Sequence, residues 1–321
     1  MLAIIQITPW HWAGFILCVL IFLALDLGVF HRKAHVVSFK EAMLWTILWV
    51  ALSLGFAAAL IPLRGHKEAV EFFTGYFIEM SLSMDNVFVI ALIFAFFKVA
   101  MEHQHRVLFW GILGALAMRG VMIWAGVELI TRFDWVLYVL GCVLLMTGLK
   151  MLLSKHNDVD PEKSLVVRAA RKFLPITKNF DGQNLVTIQN GNKMLTPLFL
   201  VLLMVEATDL VFAVDSIPAI FGVTRKPFIV FTSNVFAILG LRSLYFVLAG
   251  AIGYFRYLSV GLSVVLMFIG VKMLIDPHEK KPQWYQWDMP DNVSLMVVMG
   301  IIAVAILASV VAARREQNSK K

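Results

Sequence analysis

FTGYFIEMSLSMDNVF, residues 73–88, lies inside an apolar run, yet it carries the carboxylates Glu79 and Asp85 together with Ser81, Ser83 and Asn86. Insertion into a membrane costs roughly 2.5–3.5 kcal/mol for a charged residue at a helix centre, so nothing about folding alone asks for such a pattern. The pattern recurs. DLVFAVDS, residues 209–216, again reads acid, five residues, acid, small polar residue. Downstream, LAMR at 116–119 matches LGLR at 239–242, and Phe133 with TGLKMLL at 147–153 matches Phe255 with IGVKMLI at 269–275. All three matches occur in the same order. They describe a three-helix unit present twice, and an odd number of spans per unit inserts the second copy inverted, as in many secondary transporters.

Composition agrees with a membrane reading. Of 321 residues, 60% are hydrophobic and 15% charged, against about 45–50% and about 25% in soluble domains. A span needs roughly 20 apolar residues. Nine candidates meet that need: Trp10–Phe30, Phe39–Leu63, Phe72–Phe97, Val107–Leu129, Phe133–Leu153, Leu195–Phe221, Phe228–Ile252, Tyr257–Ile275 and Val293–Ala313. The expected fold is an all-α polytopic bundle, one transmembrane domain over residues 1–321, with repeats at 72–153 and 195–275 and extra helices at 10–30, 39–63 and 293–313. No Lys or Arg precedes the first span and its run is long, which argues against a cleaved signal peptide. Between the repeats, 154–194 reads as a cytoplasmic cap. Within it Lys163–Leu174 suits a short interfacial helix, and 185–193 a hairpin turning at Asn190 and Gly191.

The net charge of +7 is mostly a topology signal. With the N-terminus outside, the cytoplasmic loops and tail hold about 18 Lys and Arg against about 8 opposite. The C-terminus is then cytoplasmic, and a nucleic-acid partner is not expected. Cys18 and Cys142 both fall in spans and read as small packing residues; no zinc or disulfide spacing is present.

Asp26, Glu79, Asp85, Glu206, Asp209 and Asp215 fall in predicted spans, with Arg119 and Arg242. Glu206 and Asp209 share a helix face, about 60° apart at about 100° per residue. The other acid pairs converge best if the helix unwinds near Asp85 and Asp215, where Ser, Asn and Pro218 compete with the helical ladder. Carboxylates beside carbonyl oxygens suit a hard divalent cation, and Met84 would add a softer ligand. Arg119 and Arg242 are expected to neutralise one carboxylate each, with Asn86, Ser216 and Asn234 as polar neighbours. The alternative for Asn86, Ser216 and Asn234 is interhelical hydrogen bonding.

In these segments, and in VEATDLVFAVDSIPA (205–219) and TSNVFAILGLR (232–242), the chain resembles the TerC family of bacterial and plastid membrane proteins, its Alx-like branch in particular. The resemblance covers nearly the whole chain. It implies a LysE-like transporter with three-plus-three inverted repeats in the bacterial inner membrane, exporting manganese. Its acidic motifs fall on Glu79, Asp85, Asn86, Glu206, Asp209, Asp215 and Ser216, and its embedded Asn and Arg on Asn234 and Arg242. Glu206 has no acidic counterpart in the first half, where Tyr76 stands, so the site is pseudo-symmetric.

The function expected is secondary export of a divalent metal, Mn2+ foremost, in exchange for protons. The metal is the substrate, and no resident cofactor or enzymatic activity is expected. No GxxxxGK[ST] loop for ATP is present. Two other classes compete: an accessory or redox-linked membrane factor, and an intramembrane hydrolase using Asp85 and Asp215 as a dyad.

Overall fold

The computed structural model describes residues 7–25, 38–153, 165–177, 179–189, 191–249, 257–276, 286–287 and 289–319. It is a polytopic helical bundle. Its helices are α1 (Pro9–Leu25), α2 (Phe39–Arg64), α3 (His66–Phe96), α4 (Met101–Arg132), α5 (Trp135–Leu153), α6 (Leu165–Phe173), α7 (Pro197–Phe221), α8 (Pro227–Ala249), α9 (Leu258–Ile275) and α10 (Asp291–Ser319). Eight helices among the described residues are long and apolar enough to cross a membrane, all except α1 and α6. The first predicted span is met by the shorter α1, and its remainder, residues 26–30 with Asp26, lies outside the described residues.

Several helices overrun their apolar stretches. α3 starts six residues before the predicted Phe72, because polar pairing sustains the first turns. Arg64 donates to both oxygens of Glu68, at 2.7 and 2.9 Å. The link from α2 to α3 is the single residue Gly65 at φ 97°, a conformation that L side chains avoid, and its N–H caps α2 through Ile61 and Leu60. At the other end of α2, Ser38 accepts from the Glu41 N–H.

α8 is the most enclosed of the spans, followed by α3 and α9, whereas α2 and α10 are peripheral. α3 packs extensively on α8 and also meets α7, and α4 lies against α7 and α8. One apolar cluster joins α3, α4, α5, α7, α8, α9 and α10 around Ile78, Leu137, Leu144, Ile217 and Leu266. With no water to drive apolar helices together, close packing of small residues holds such bundles. α5 and α9 show it most plainly: a Cβ on Gly270 would stand 2.8 Å from the Gly141 carbonyl oxygen, and one on Gly148 2.8 Å from the Ser263 carbonyl oxygen.

The short helix and the hairpin expected between the repeats are both present. α6 takes the place of the expected interfacial helix, and β1 (Val186–Gln189) pairs antiparallel with β2 (Asn192–Leu195). The register Gln189↔Asn192 leaves a two-residue turn, with Gly191 at φ 77°. Ile176 bridges Leu195 on the far side, and Gln183 donates to the Glu102 carbonyl at 3.2 Å, which ties the cap to α4.

Candidate cation site

The centre of the site is a guanidinium. Arg119 projects from the middle of α4 and is 2% exposed. Its Nε and Nη2 donate to Asp209 Oδ2 and Oδ1 at 3.1 and 2.9 Å, and its Nη1 donates to Glu79 Oε1. Nη1 also reaches Ser216 Oγ and Asn234 Oδ1, each at 3.4 Å. Glu79 and Asp209 lie near the middle of α3 and α7, so four helices converge there. Two carboxylates against one guanidinium leave a buried formal charge of −1. Buried charge is tolerated only with such pairing, because an unpaired ion out of water costs several kcal/mol.

The remaining predicted residues are placed elsewhere. Asp85 Oδ1 accepts from Ser259 of α9 at 2.8 Å, and Asp215 Oδ1 from Thr147 of α5 at 3.0 Å. Asp85 and Asp215 occupy matching positions in the two halves, and each meets a hydroxyl on the third helix of the other half. Glu206, partly buried, points onto Gly114 of α4, where a Cβ would collide with its carboxylate. Arg242 is not in the centre: its Nη1 lies 3.1 Å from His105 Nε2. Met84 packs in an apolar cluster with Val87 and Ile90. Among the described residues, no three His, Cys, Asp or Glu side chains come close enough to hold a metal together.

The expected unwinding near Asp85 and Asp215 does not occur. α3 and α7 are helical throughout. The competing hydroxyls bond back into the ladder instead, Ser81 to the Phe77 carbonyl and Thr208 to the Met204 carbonyl, both at 2.7 Å. Pro218 lies in the last turn of α7, where it removes a single ladder bond.

Four buried polar atoms on α3 and α8 have no hydrogen-bond partner among the described residues: Glu79 Oε2, Ser83 Oγ, Asn86 Oδ1 and Asn234 Nδ2. The first three belong to residues spaced i, i+4, i+7 on one face of α3. Buried polar groups are paired in the great majority of cases, so the three oxygens are available to water or an ion and Asn234 Nδ2 to an acceptor.

Sequence reasoning missed Thr147, Ser259 and Gly114. Thr147 is a hydroxyl in an apolar span, but the helix rotation that turns it to Asp215 is not visible in one sequence. It also missed a second polar cluster at the end of the bundle where α2 meets α3: Glu68 and Glu71 are 8% and 3% exposed, and Lys226 reaches them at 3.4 and 3.0 Å. Thr224 donates to Glu71 at 2.8 Å.

Fold and site together define a polytopic helical membrane protein with an ionisable centre inside its spans. The model of the integral membrane protein TerC family matches residues 64–317, and the chain belongs to that family. It is 52% identical over 312 residues to the uncharacterized membrane protein STKORF319 of Myxococcus xanthus, covering 97% of this chain and 95% of that one. It is 45% identical over 309 residues to a protein of Escherichia coli K12 named as a candidate membrane-bound redox modulator, Alx, covering 94% of each. A protein of the same name from Salmonella typhi is 46% identical over 309 residues, again covering 94% of each. No solved structure matches the chain.

Proposed function

We propose that this protein is a secondary transporter that exports a divalent metal cation, manganese foremost, across the bacterial inner membrane in exchange for protons. The observation that carries the reading is the meeting of Glu79 and Asp209, from matching positions of the two halves, on one buried cation near the middle of the spans. Ionisable residues at that depth belong to ion and proton pathways far more often than to structure. Oxygen donors of this kind, carboxylates with Ser and Asn, are those of hard divalent ions.

The inverted repeat belongs to this proposal and has its own support. Gly148 and Gly270 match in the two halves, as do Gly141 and Ser263. Gly270 abuts Gly141 while Gly148 abuts Ser263, the exchange of contacts that a two-fold relation between halves generates. In the orientation set by the positive loops, Glu68, Glu71 and Lys226 face outward and the β-hairpin cap faces the cytoplasm.

Mn2+ flux into proteoliposomes, driven by an imposed proton gradient, tests the proposal. Wild-type flux with loss in Glu79→Gln and Asp209→Asn is expected. Flux unchanged in both variants would remove the site, and flux of Mg2+ or Ca2+ without Mn2+ would change the substrate. The hydrolase reading loses ground because Asp85 and Asp215 each bond to a separate hydroxyl. A redox role, suggested by the name of the relatives, would run through Cys18 and Cys142, which are free thiols exposed on α1 and α5. Loss of function in the Cys18→Ser, Cys142→Ser double variant with metal flux intact would favour it.

A further inference from the structure

We propose that the Arg119 guanidinium is a tethered competitor of the transported cation: it occupies Glu79 and Asp209 until the cargo displaces it one helical turn along α7 onto Glu206. This rests on the transport reading above and assigns the regulation of that same site.

Three observations lead there. Arg119 takes both oxygens of Asp209 and one oxygen of Glu79, the oxygens a divalent ion would need. With the guanidinium in place, no three acids among the described residues stand close enough to hold a metal. Yet the pairing is incomplete, because Glu79 Oε2 and Asn234 Nδ2, on two residues that Arg119 touches, stay buried without partners. An ion pair kept only for structure has no reason to leave such groups unsatisfied, since each orphan costs about 1–3 kcal/mol.

The destination follows from an asymmetry. Asp209 is followed toward the N-terminus of α7, three residues away, by Glu206. That is about one turn and about 60° around the helix. Glu206 makes no hydrogen bond or ion pair with the described residues, and it lies against Gly114 on α4, the helix that carries Arg119. The first half has Tyr76 at the matching position, and the matching arginine, Arg242, stays away from the centre on His105. The extra acid and the central arginine thus occur together, on the same pair of helices, and both are missing from the other pair. Charge also balances. A divalent ion between Glu79 and Asp209 brings that pair to zero, and Arg119 on Glu206 does the same for a carboxylate that otherwise stands alone.

Mn2+ binding to the purified full-length protein in nanodiscs, by titration calorimetry, tests this with Arg119→Gln, Arg119→Lys, Glu206→Gln and the Arg119→Gln, Glu206→Gln double variant. Removing the competitor is expected to tighten binding roughly tenfold in Arg119→Gln. Lysine cannot span two carboxylates as a planar guanidinium does, so Arg119→Lys, which keeps the charge and guards against misfolding, is expected to tighten it by roughly threefold. Glu206→Gln is expected to weaken binding only while Arg119 is present, with no further loss in the double variant. A loss that persists in the double variant makes Glu206 a direct ligand and overturns the shuttle. Binding that is unchanged or weaker in both Arg119 variants, with the wild type binding Mn2+, overturns the competitor and leaves the transport reading intact. Absence of Mn2+, Mg2+ and Ca2+ binding in the wild type overturns both.

Discussion

At the residue scale, the site is shaped as much by what is small or neutral as by its charges. Gly114 is the clearest case, because the carboxylate of Glu206 fills the space a Cβ would take. Gly114→Ala is expected to push Glu206 off α4 and cost about 1–3 kcal/mol of stability, as overpacking does. A fall in thermal midpoint with a parallel loss of metal flux is the expected outcome, and wild-type values for both would show that Glu206 has room to spare. The hydroxyls of Thr147 and Ser259 each donate to one aspartate. A hydrogen bond to a charged group contributes about 1.5–3 kcal/mol, so Thr147→Val and Ser259→Ala are each expected to cost about that much stability. Thermal midpoints of the two variants would check this; an effect in only one of the two would argue that the two halves do unequal work.

At the element scale, packing rather than propensity fixes the helices. α5 and α9 approach closely enough that each glycine at their crossing faces a backbone carbonyl, with Gly270 at 2.8 Å from the Gly141 oxygen for an added Cβ. Gly270→Leu is expected to force these helices apart and lower the thermal midpoint by several degrees, at about 2–4 °C per kcal/mol for a chain of this size class. An unshifted midpoint in the same detergent would mean that the crossing is loose. In the cap, Gly191 at φ 77° holds the two-residue turn of the hairpin. Gly191→Val places a β-branched residue where L side chains are strained, and limited proteolysis is expected to cut the hairpin faster in the variant. Equal cutting rates would show that the contacts of Ile176 and Gln183, not the turn, keep the cap folded.

At the scale of the whole molecule, two polar clusters lie at different depths of one apolar bundle. Arg119 with Glu79 and Asp209 holds the middle, and Lys226 with Glu68 and Glu71 holds the end where α2 meets α3. The outer cluster is partly solvated, with Lys226 40% exposed, so it is worth less per contact. Lys226→Gln is accordingly expected to lower the thermal midpoint by only about 2 °C, far less than Arg119→Gln. A larger fall for Lys226→Gln would make the outer cluster the main brace. Sequence alone determined the helical class, most of the spans, the hairpin at Gly191 and the set of misplaced charges. It could do so because the bilayer imposes length and polarity rules that act on each segment separately. The tertiary structure decided which carboxylate meets which cation, that Arg119 and not Arg242 stands at the centre, that α3 and α7 run unbroken, and that Gly114, Thr147 and Ser259 meet the acids Glu206, Asp215 and Asp85. Those outcomes depend on the rotation of each helix about its axis and on its neighbours, and a run of apolar residues carries almost no record of either.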